Sequence, residues 1–317
     1  MTKALVTGGA GFIGSHLCEK LCELEFDVVC MDNLFTSRRA NIEHLLPLSN
    51  FEFFRHDVCE PWNLECDVIF HLACPASPVQ YQRNPVNTIR TAVLGTLNVL
   101  ECARNASSRI VIASTSEVYG DPTVHPQPET YFGNVNPVGI RSCYDEGKRV
   151  GESLAVSWAQ QYGTSVRIAR IFNTYGPRMA HDDGRLLPNL IMQGMRGEGL
   201  TVYGDGSQTR SFCYVTDTVQ GLICMSEMDH VPRIVPVINI GNPDERSILS
   251  VATDVQIAFG NNPKICFKPL PEDDPKQRCP DITKAREKLG WEPRVHYGSG
   301  IEKTVEWFRN NVDPAKK

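Results

Sequence analysis

Four glycines fall within seven residues near the start of the chain, in the run Thr7-Gly8-Gly9-Ala10-Gly11-Phe12-Ile13-Gly14. The run follows an apolar segment of strand length, residues 3–7, and leads into residues 12–24, whose apolar positions recur at helical spacing. A strand that passes into a helix through glycines has a tight turn, a backbone open to close approach, and a helix packed hard on the strand. Gly9, Gly11 and Gly14 fit the dinucleotide fingerprint, and Gly8, Gly11 and Gly14 fit its wider three-residue spacing. The free N–H groups at the start of such a helix face pyrophosphate. Asp32 closes the next predicted strand, 18 residues past Gly14. A carboxylate there accepts from both ribose hydroxyls of NAD and repels a 2′-phosphate. Arg38 and Arg39 lie nearby and argue for NADP, but read better as a solvated positive face, so NAD is the expected cofactor. Asp57 and Val58, at the end of the third predicted strand, are placed to meet the adenine.

Strands are predicted at 3–7, 27–31, 51–55, 68–73, 109–114 and 165–171, and helices at 12–24, 86–103 and 144–161. This alternation implies an α/β fold, a Rossmann-type doubly wound parallel sheet with helices on both faces. Beyond Asn173 glycine and proline become frequent and the segments shorten. Helices are expected near 187–196, after 216 and at 301–309, with strands at 200–203 and 235–240. The chain is thus divided into an NAD-binding domain over 1–175 and a smaller mixed α/β C-terminal substrate-binding lobe over 176–317. The boundary is soft, since later segments can return to the main sheet.

With 317 residues and a net charge of -5, the chain has no global attraction to nucleic acid or anionic membrane. No apolar run reaches the length of a bilayer span, and the first strand begins too early to leave room for a signal peptide. The twelve cysteines are scattered without a Cys-x-x-Cys pair, which reads as reduced thiols and no metal site. A cytoplasmic protein without nucleic-acid or membrane partners is expected.

Tyr144 and Lys148 stand four apart on a predicted helix and so share a face. An ammonium beside a phenol favours the phenolate, which makes tyrosine a general base. The pair alone is common. Here it follows a predicted strand whose carboxyl end carries Ser114-Thr115-Ser116-Glu117-Val118-Tyr119-Gly120, where open α/β sheets bind ligands.

Several longer stretches then matter together: 32–36, 71–78, 114–122, 144–149, 171–179 with 183–185, 203–210 and 273–281. Through them the chain resembles the extended short-chain dehydrogenases/reductases that act on nucleotide sugars, and within these the UDP-glucuronate decarboxylase family. The resemblance implies oxidation at C4 of UDP-glucuronate, loss of carbon dioxide from the 4-keto sugar, and reduction to UDP-xylose, with NAD regenerated in place. It implies Tyr144, Lys148, Ser116 (or Thr115), Glu117 and Arg278 as catalytic residues. Arg278 is read as positioning the carboxylate or a water, since a guanidinium gives up no proton readily. The alternative is a surface salt bridge to Glu272, Asp273 or Asp274; likewise Glu117 reads otherwise as a buried carboxylate supporting its loop. The cofactor site takes in Gly8, Gly11, Phe12, Ile13, Gly14, Asp32, Asn33, Phe35, Thr36, Asp57, Val58, Leu72, Cys74, Thr91, Ala113, Tyr144, Lys148 and Arg185. Cys74 stands where such enzymes usually carry serine. The UDP-sugar is assigned to Arg90, Asn173, Tyr203, Arg210 and Arg278, with Tyr203 equally readable as a core residue and Arg90 as a solvated helix arginine. A homodimer through the helices near 86–103 and 144–161 is expected. Rival readings are a 4,6-dehydratase, which lacks its usual acid because Ser116 precedes Glu117, a 4-epimerase, and a non-catalytic NAD-binding scaffold, for which a base is superfluous.

Overall fold

The computed structural model describes residues 1–229, 231–260, 263–269 and 277–315. The apolar runs of the first half form β1 (Lys3–Thr7), β2 (Asp27–Asp32), β3 (Phe51–Arg55), β4 (Val68–His71), β5 (Arg109–Thr115) and β6 (Val166–Ile171). With the strand Val237–Ile240 they make one seven-stranded sheet, ordered Val237–Ile240, β6, β5, β4, β1, β2, β3. Every pairing in it is parallel, with Val6 opposite both Cys30 and Phe70. The inner strands β1, β2 and β4 are largely apolar because both faces are covered, whereas the edge strand β3 carries exposed Glu52 and Arg55 and β6 carries Arg167 and Arg170. Ala4 and Val6 enter one core with Leu17 and Leu21 of the helix Phe12–Glu23, while Leu5 enters the other with Val99 and Leu100. Strand order reverses at β1, which has β2 on one side and β4 on the other. A ligand crevice opens beyond the carboxyl ends at such a point.

Two long helical segments cover β4, β5 and β6. One runs from Pro85–Arg90 through a wide π turn at Thr91–Gly95 into Thr96–Asn105. The other is Ser142–Tyr162, stopped by Gly163 at φ 72°. They pack closely because Gly147 carries no side chain: a Cβ there would stand 3.1 Å from that of Ala92.

Beyond β6 the chain builds three two-stranded ribbons, pairing Thr174–Tyr175 with Cys213–Tyr214, Leu200–Tyr203 with Ile265–Lys268, and Thr209–Ser211 with Glu245–Ser247. Among the described residues, its apolar side chains do not form a separate core. Tyr175, Leu187, Phe212, Val255 and Phe308 join the same cluster as Ala4 and Val6. The strand Val237–Ile240 and the helix Val215–Ser226 belong to the sheet and its cover, although both follow residue 175.

The sequence pattern misses the helix Ile248–Phe259. Ile248, Val251, Thr253, Val255 and Ile257 are β-branched and weaken helix propensity, but burial of Val251, Ala252 and Val255 outweighs it. Its signals lie at the ends: the Ser247 hydroxyl accepts from Ser250 N at 3.1 Å, and Gly260 closes it at φ 70°. The last helix, Tyr297–Asn311, begins four residues before its predicted start at 301. Gly298 and Gly300 mask that turn, and Gly300 is needed because a Cβ would collide with the Tyr175 ring. The short helices Pro78–Arg83 and Thr283–Leu289 are also absent from the sequence reading, being under two turns long. Replacing Ser247 by alanine removes a helix cap and should cost about 1 kcal/mol, measured as a lower urea midpoint with an unchanged slope.

Candidate active site

The glycine turn is built as its spacing demands. Gly8 has φ 71°, its N–H donates to Met31 O at 2.8 Å, and the Gly11 N–H donates to Gly8 O at 3.0 Å. A Cβ on Gly8 would lie 2.8 Å from Ala73 N, and one on Gly14 would collide with Gly8 O. The helix Phe12–Glu23 starts directly on this turn. Asp32 supports it from β2, accepting from Ala10 N at 3.1 Å, Leu34 N at 2.8 Å and Ser37 Oγ at 2.6 Å. Burial pushes the Asp32 carboxyl above its ordinary value, and those three donors work against the shift. Asn41, which the sequence reading overlooks, donates to Ala10 O at 2.9 Å and fixes the other side of the loop. A cradle that excludes Cβ atoms, at a helix N-terminus, with a carboxylate at the next strand's end, fits a nicotinamide dinucleotide.

A cavity of about 530 Å³ runs from this turn across the carboxyl ends of β1, β4, β5 and β6. Gly8, Gly11, Phe12, Ile13, Gly14, Asp32, Asn33, Phe35 and Thr36 line one end, with Val58 and Thr91 beside them. Leu72, Cys74, Ala113, Ser116, Glu117, Tyr144 and Lys148 line the middle. Asn173, Arg185, Tyr203, Arg210 and Arg278 line the far end. Two expected residues stand off the wall. Asp57 is turned to Asn33 Nδ2, at 3.0 Å, and Cys59 N, at 2.9 Å; burial raises its carboxyl, but these bonds outweigh it and the group ends below its ordinary value. Arg90 is exposed on its helix and is not among the residues that line the cavity, although Thr91 beside it is. Of the two arginines raised for NADP, Arg38 is committed at 2.8 Å to Asp182 and at 2.9 Å to His181.

Tyr144 is buried and stacked on Tyr81, ring centroids 5.0 Å apart and planes within 3°. Burial drives its phenol upward, the Cys74 thiol adds to this, and a hydrogen bond with Thr115 opposes it. Lys148 Nζ stands 6.0 Å from the Tyr144 ring centre and donates to Ala113 O at 2.8 Å. The lysine alone therefore does not bring the phenol near neutrality, because burial is the larger effect. The hydroxyl that meets the phenol is that of Thr115; Ser116 is buried alongside.

Glu117 sits just past β5, in the short turn Ser116–Tyr119. Arg278 bonds one of its carboxylate oxygens and Arg141 the other. Burial alone would raise this carboxyl, but the two guanidiniums, Arg278 foremost, and the field of Arg210 hold it below its ordinary value. Arg278 is only 3 % exposed, so it is no surface cation, and it also donates to Gly120 O at 2.7 Å. The carboxylates weighed as its alternative partners, Glu272, Asp273 and Asp274, lie outside the described residues. Among the far-end residues, Arg185 pairs with Asp183 at 2.6 Å and Asn173 O accepts from Cys213 N at 2.8 Å. Arg210 donates to Thr209 O at 2.8 Å. Tyr203 is 40 % exposed, which excludes a core role.

The sequence reading misses Arg141, Tyr81 and Asp145. Arg141 stands three residues before Tyr144, a spacing that puts both on one helix face, so its signal was present. Tyr81 reaches the site only through tertiary packing. Asp145 lies behind Arg141, 3.8 Å from its Nε, with Oδ1 buried and without a partner.

The sequence profile of the GDP-mannose 4,6 dehydratase family matches residues 5–304. UDP-glucuronic acid decarboxylase 4 of Arabidopsis thaliana is 54% identical over 310 residues, spanning 98% of this chain and 69% of that protein. UDP-glucuronic acid decarboxylase 1 of Xenopus tropicalis is 49% identical over 311 residues, spanning 98% and 73%. Among solved structures, UDP-glucuronic acid 4-epimerase from Bacillus cereus, in complex with UDP-glucuronic acid and NAD, matches with a TM-score of 0.87 at 30% identity, covering 98% of this chain and 99% of its own.

Burial, with the like charge of Glu117, pushes the Asp145 carboxyl up to about 7, against the pull of Arg141. An unfolded aspartate ionises near 4, so the folded state binds the extra proton between about pH 4 and pH 7. Stability from this group is present below that window and lost as pH rises through it. Asp145→Asn should flatten this loss and be more stable than the unaltered protein at pH 8, measured by urea denaturation at pH 5 and 8.

Proposed function

The chain belongs to the UDP-glucuronic acid decarboxylase family, within the wider GDP-mannose 4,6-dehydratase family, and from that membership we propose that it turns UDP-glucuronate into UDP-xylose and carbon dioxide, with NAD retained through the cycle. The observation that carries the reading is Glu117 held between Arg141 and Arg278, next to Tyr144 at the carboxyl end of β5. NAD would lie along the glycine turn, its adenosine ribose at Asp32 and its nicotinamide ribose at Lys148. When bound, it supplies a positively charged ring that takes two electrons from C4 of the sugar and later returns them.

The protein's own groups handle protons and charge. Tyr144 takes the C4 hydroxyl proton, with Lys148 compensating the phenolate that burial disfavours. Thr115 and Ser116, with Tyr144, donate to the C4 oxygen, where negative charge collects as the carboxylate leaves and its electrons form an enolate, which takes a proton from water at C5 before C4 is reduced again. Arg278 and Arg141 are planar donors suited to a carboxylate, and place the one at C5 for departure. Glu117, kept ionised by them, repels the carboxylate and not the neutral carbon dioxide. Arg210 would hold the diphosphate of UDP, with Asn173 and Tyr203 toward the sugar and uridine and Arg185 at the cofactor side.

We also infer a homodimer. Val86, Ile89, Leu94 and Val150 are exposed apolar residues on the two long helices that pack together, and a two-fold partner would cover them. No helix among the described residues is long and apolar enough to cross a membrane.

Incubated with UDP-glucuronate, the purified protein should release carbon dioxide and UDP-xylose in equal amounts. UDP-galacturonate without carbon dioxide would show a 4-epimerase instead. Tyr144→Phe should lower kcat roughly 10²- to 10⁴-fold while still binding NAD. Sedimentation at micromolar protein should give the dimer mass, and a monomer there would overturn the pairing.

A further inference from the structure

Arg278 meets Glu117 from a distant part of the chain, so its own backbone must be held. The peptide unit that follows it is gripped at both ends by side chains. Ser211 Oγ donates to Arg278 O at 3.3 Å, and Cys279 N donates to Gln127 Oε1 at 2.9 Å. Gln127 is fully buried and its amide is paired at both ends, since Nε2 also donates to Val124 O at 2.8 Å. Its main chain already joins the two segments: Gln127 N donates to Cys279 O at 2.9 Å, and Gln127 O accepts from Asp281 N at 3.0 Å and from Asn239 Nδ2 at 2.9 Å. The side chain is not needed to bring the segments together. What it adds is a fixed orientation of the Arg278–Cys279 peptide plane, and with it the direction in which the guanidinium leaves the backbone. A buried glutamine amide is costly unless paired at both ends, and this one is paired on the unit beside the arginine.

We propose that Gln127 and Ser211 are positioning residues for the carboxylate subsite: by clamping the peptide after Arg278 they set its guanidinium against Glu117, and so make the site select a sugar that carries a carboxylate at C5. Neither residue touches the reacting atoms. The inference rests on the decarboxylase reading, and it separates from it, because the product UDP-xylose lacks the carboxylate that this reading assigns to Arg278. A general loosening of the site weakens both nucleotide sugars alike, while a misdirected Arg278 weakens only the acid.

The test compares binding of UDP-glucuronate and UDP-xylose by calorimetry in the NAD-loaded full chain carrying Tyr144→Phe, so that the acid is not consumed during the titration, alongside kcat and KM with Tyr144 intact. Gln127→Met keeps the side-chain length and removes both amide bonds. It should raise the Kd of UDP-glucuronate about tenfold and leave that of UDP-xylose within about twofold, with most of the kinetic loss in KM. Ser211→Ala frees the other end of the same peptide and should give the same selectivity at about threefold. In an Arg278→Ala background, Gln127→Met should weaken UDP-glucuronate no further. Equal weakening of both ligands, no change in either, or full additivity with Arg278→Ala would overturn the proposal. If circular dichroism shows Gln127→Met unfolded, Ser211→Ala decides alone by the same criteria. Should the unaltered protein release no carbon dioxide from UDP-glucuronate, the decarboxylase reading fails first and separately.

Discussion

One carboxylate holds this site together. Glu117 is gripped by guanidiniums from two segments far from each other, Arg141 at the start of the helix Ser142–Tyr162 and Arg278 near the end of the chain. A buried carboxylate is expensive unless paired, and removing one partner of such a set typically costs about 3–5 kcal/mol. The triad therefore does more than supply charge. It joins the carboxyl end of β5, the helix that carries Tyr144, and the segment after residue 276 around one cavity. Asp145 behind Arg141 shows the limit of this compensation. Two guanidiniums suffice for one carboxylate, and the second is left with an unpartnered oxygen and a raised pKa.

The sheet makes this meeting possible. Parallel strands all end on the same edge, so β1, β4, β5 and β6 deliver the glycine turn, Cys74, the Thr115–Glu117 corner and Asn173 to one crevice. Strand burial on both faces leaves the strands little freedom to slip, since a one-residue shift would exchange Ala4 and Val6 with Leu5 between the two cores. The later part of the chain closes the crevice without a core of its own, because Tyr175, Phe212 and Phe308 extend the cluster that covers the sheet. The two ends of the cavity are thereby walls of one packed body.

The stacking of Tyr81 on Tyr144 illustrates how packing alters chemistry that spacing suggests. A separation of four positions puts tyrosine and lysine on one face, and that much is local geometry. Whether the phenol is acidic depends on what surrounds it, and here burial dominates. Arg38 is a similar case. Proximity in sequence to Asp32 suggests a phosphate ligand, yet its guanidinium is spent on Asp182 and His181 across the crevice.

What the sequence determined by itself was carried by short-range geometry. The glycine turn, Asp32 at the next strand's end, the alternation of strands and helices, and the shared face of Tyr144 and Lys148 all follow from backbone sterics and the 3.6- and two-residue periods. The helix Ile248–Phe259 escaped because its β-branched residues obey burial and not propensity. Only the tertiary structure decided that Arg141 and Arg278 converge on Glu117, that Thr115 meets the Tyr144 hydroxyl, that Arg90 faces outward, and that Gln127 holds the arginine's peptide. Arg278 and Glu117 are 161 residues apart, and no periodicity reaches that far. The cost of leaving buried charges and amides unpaired selects one arrangement of distant segments, and that selection operates only once the core has packed.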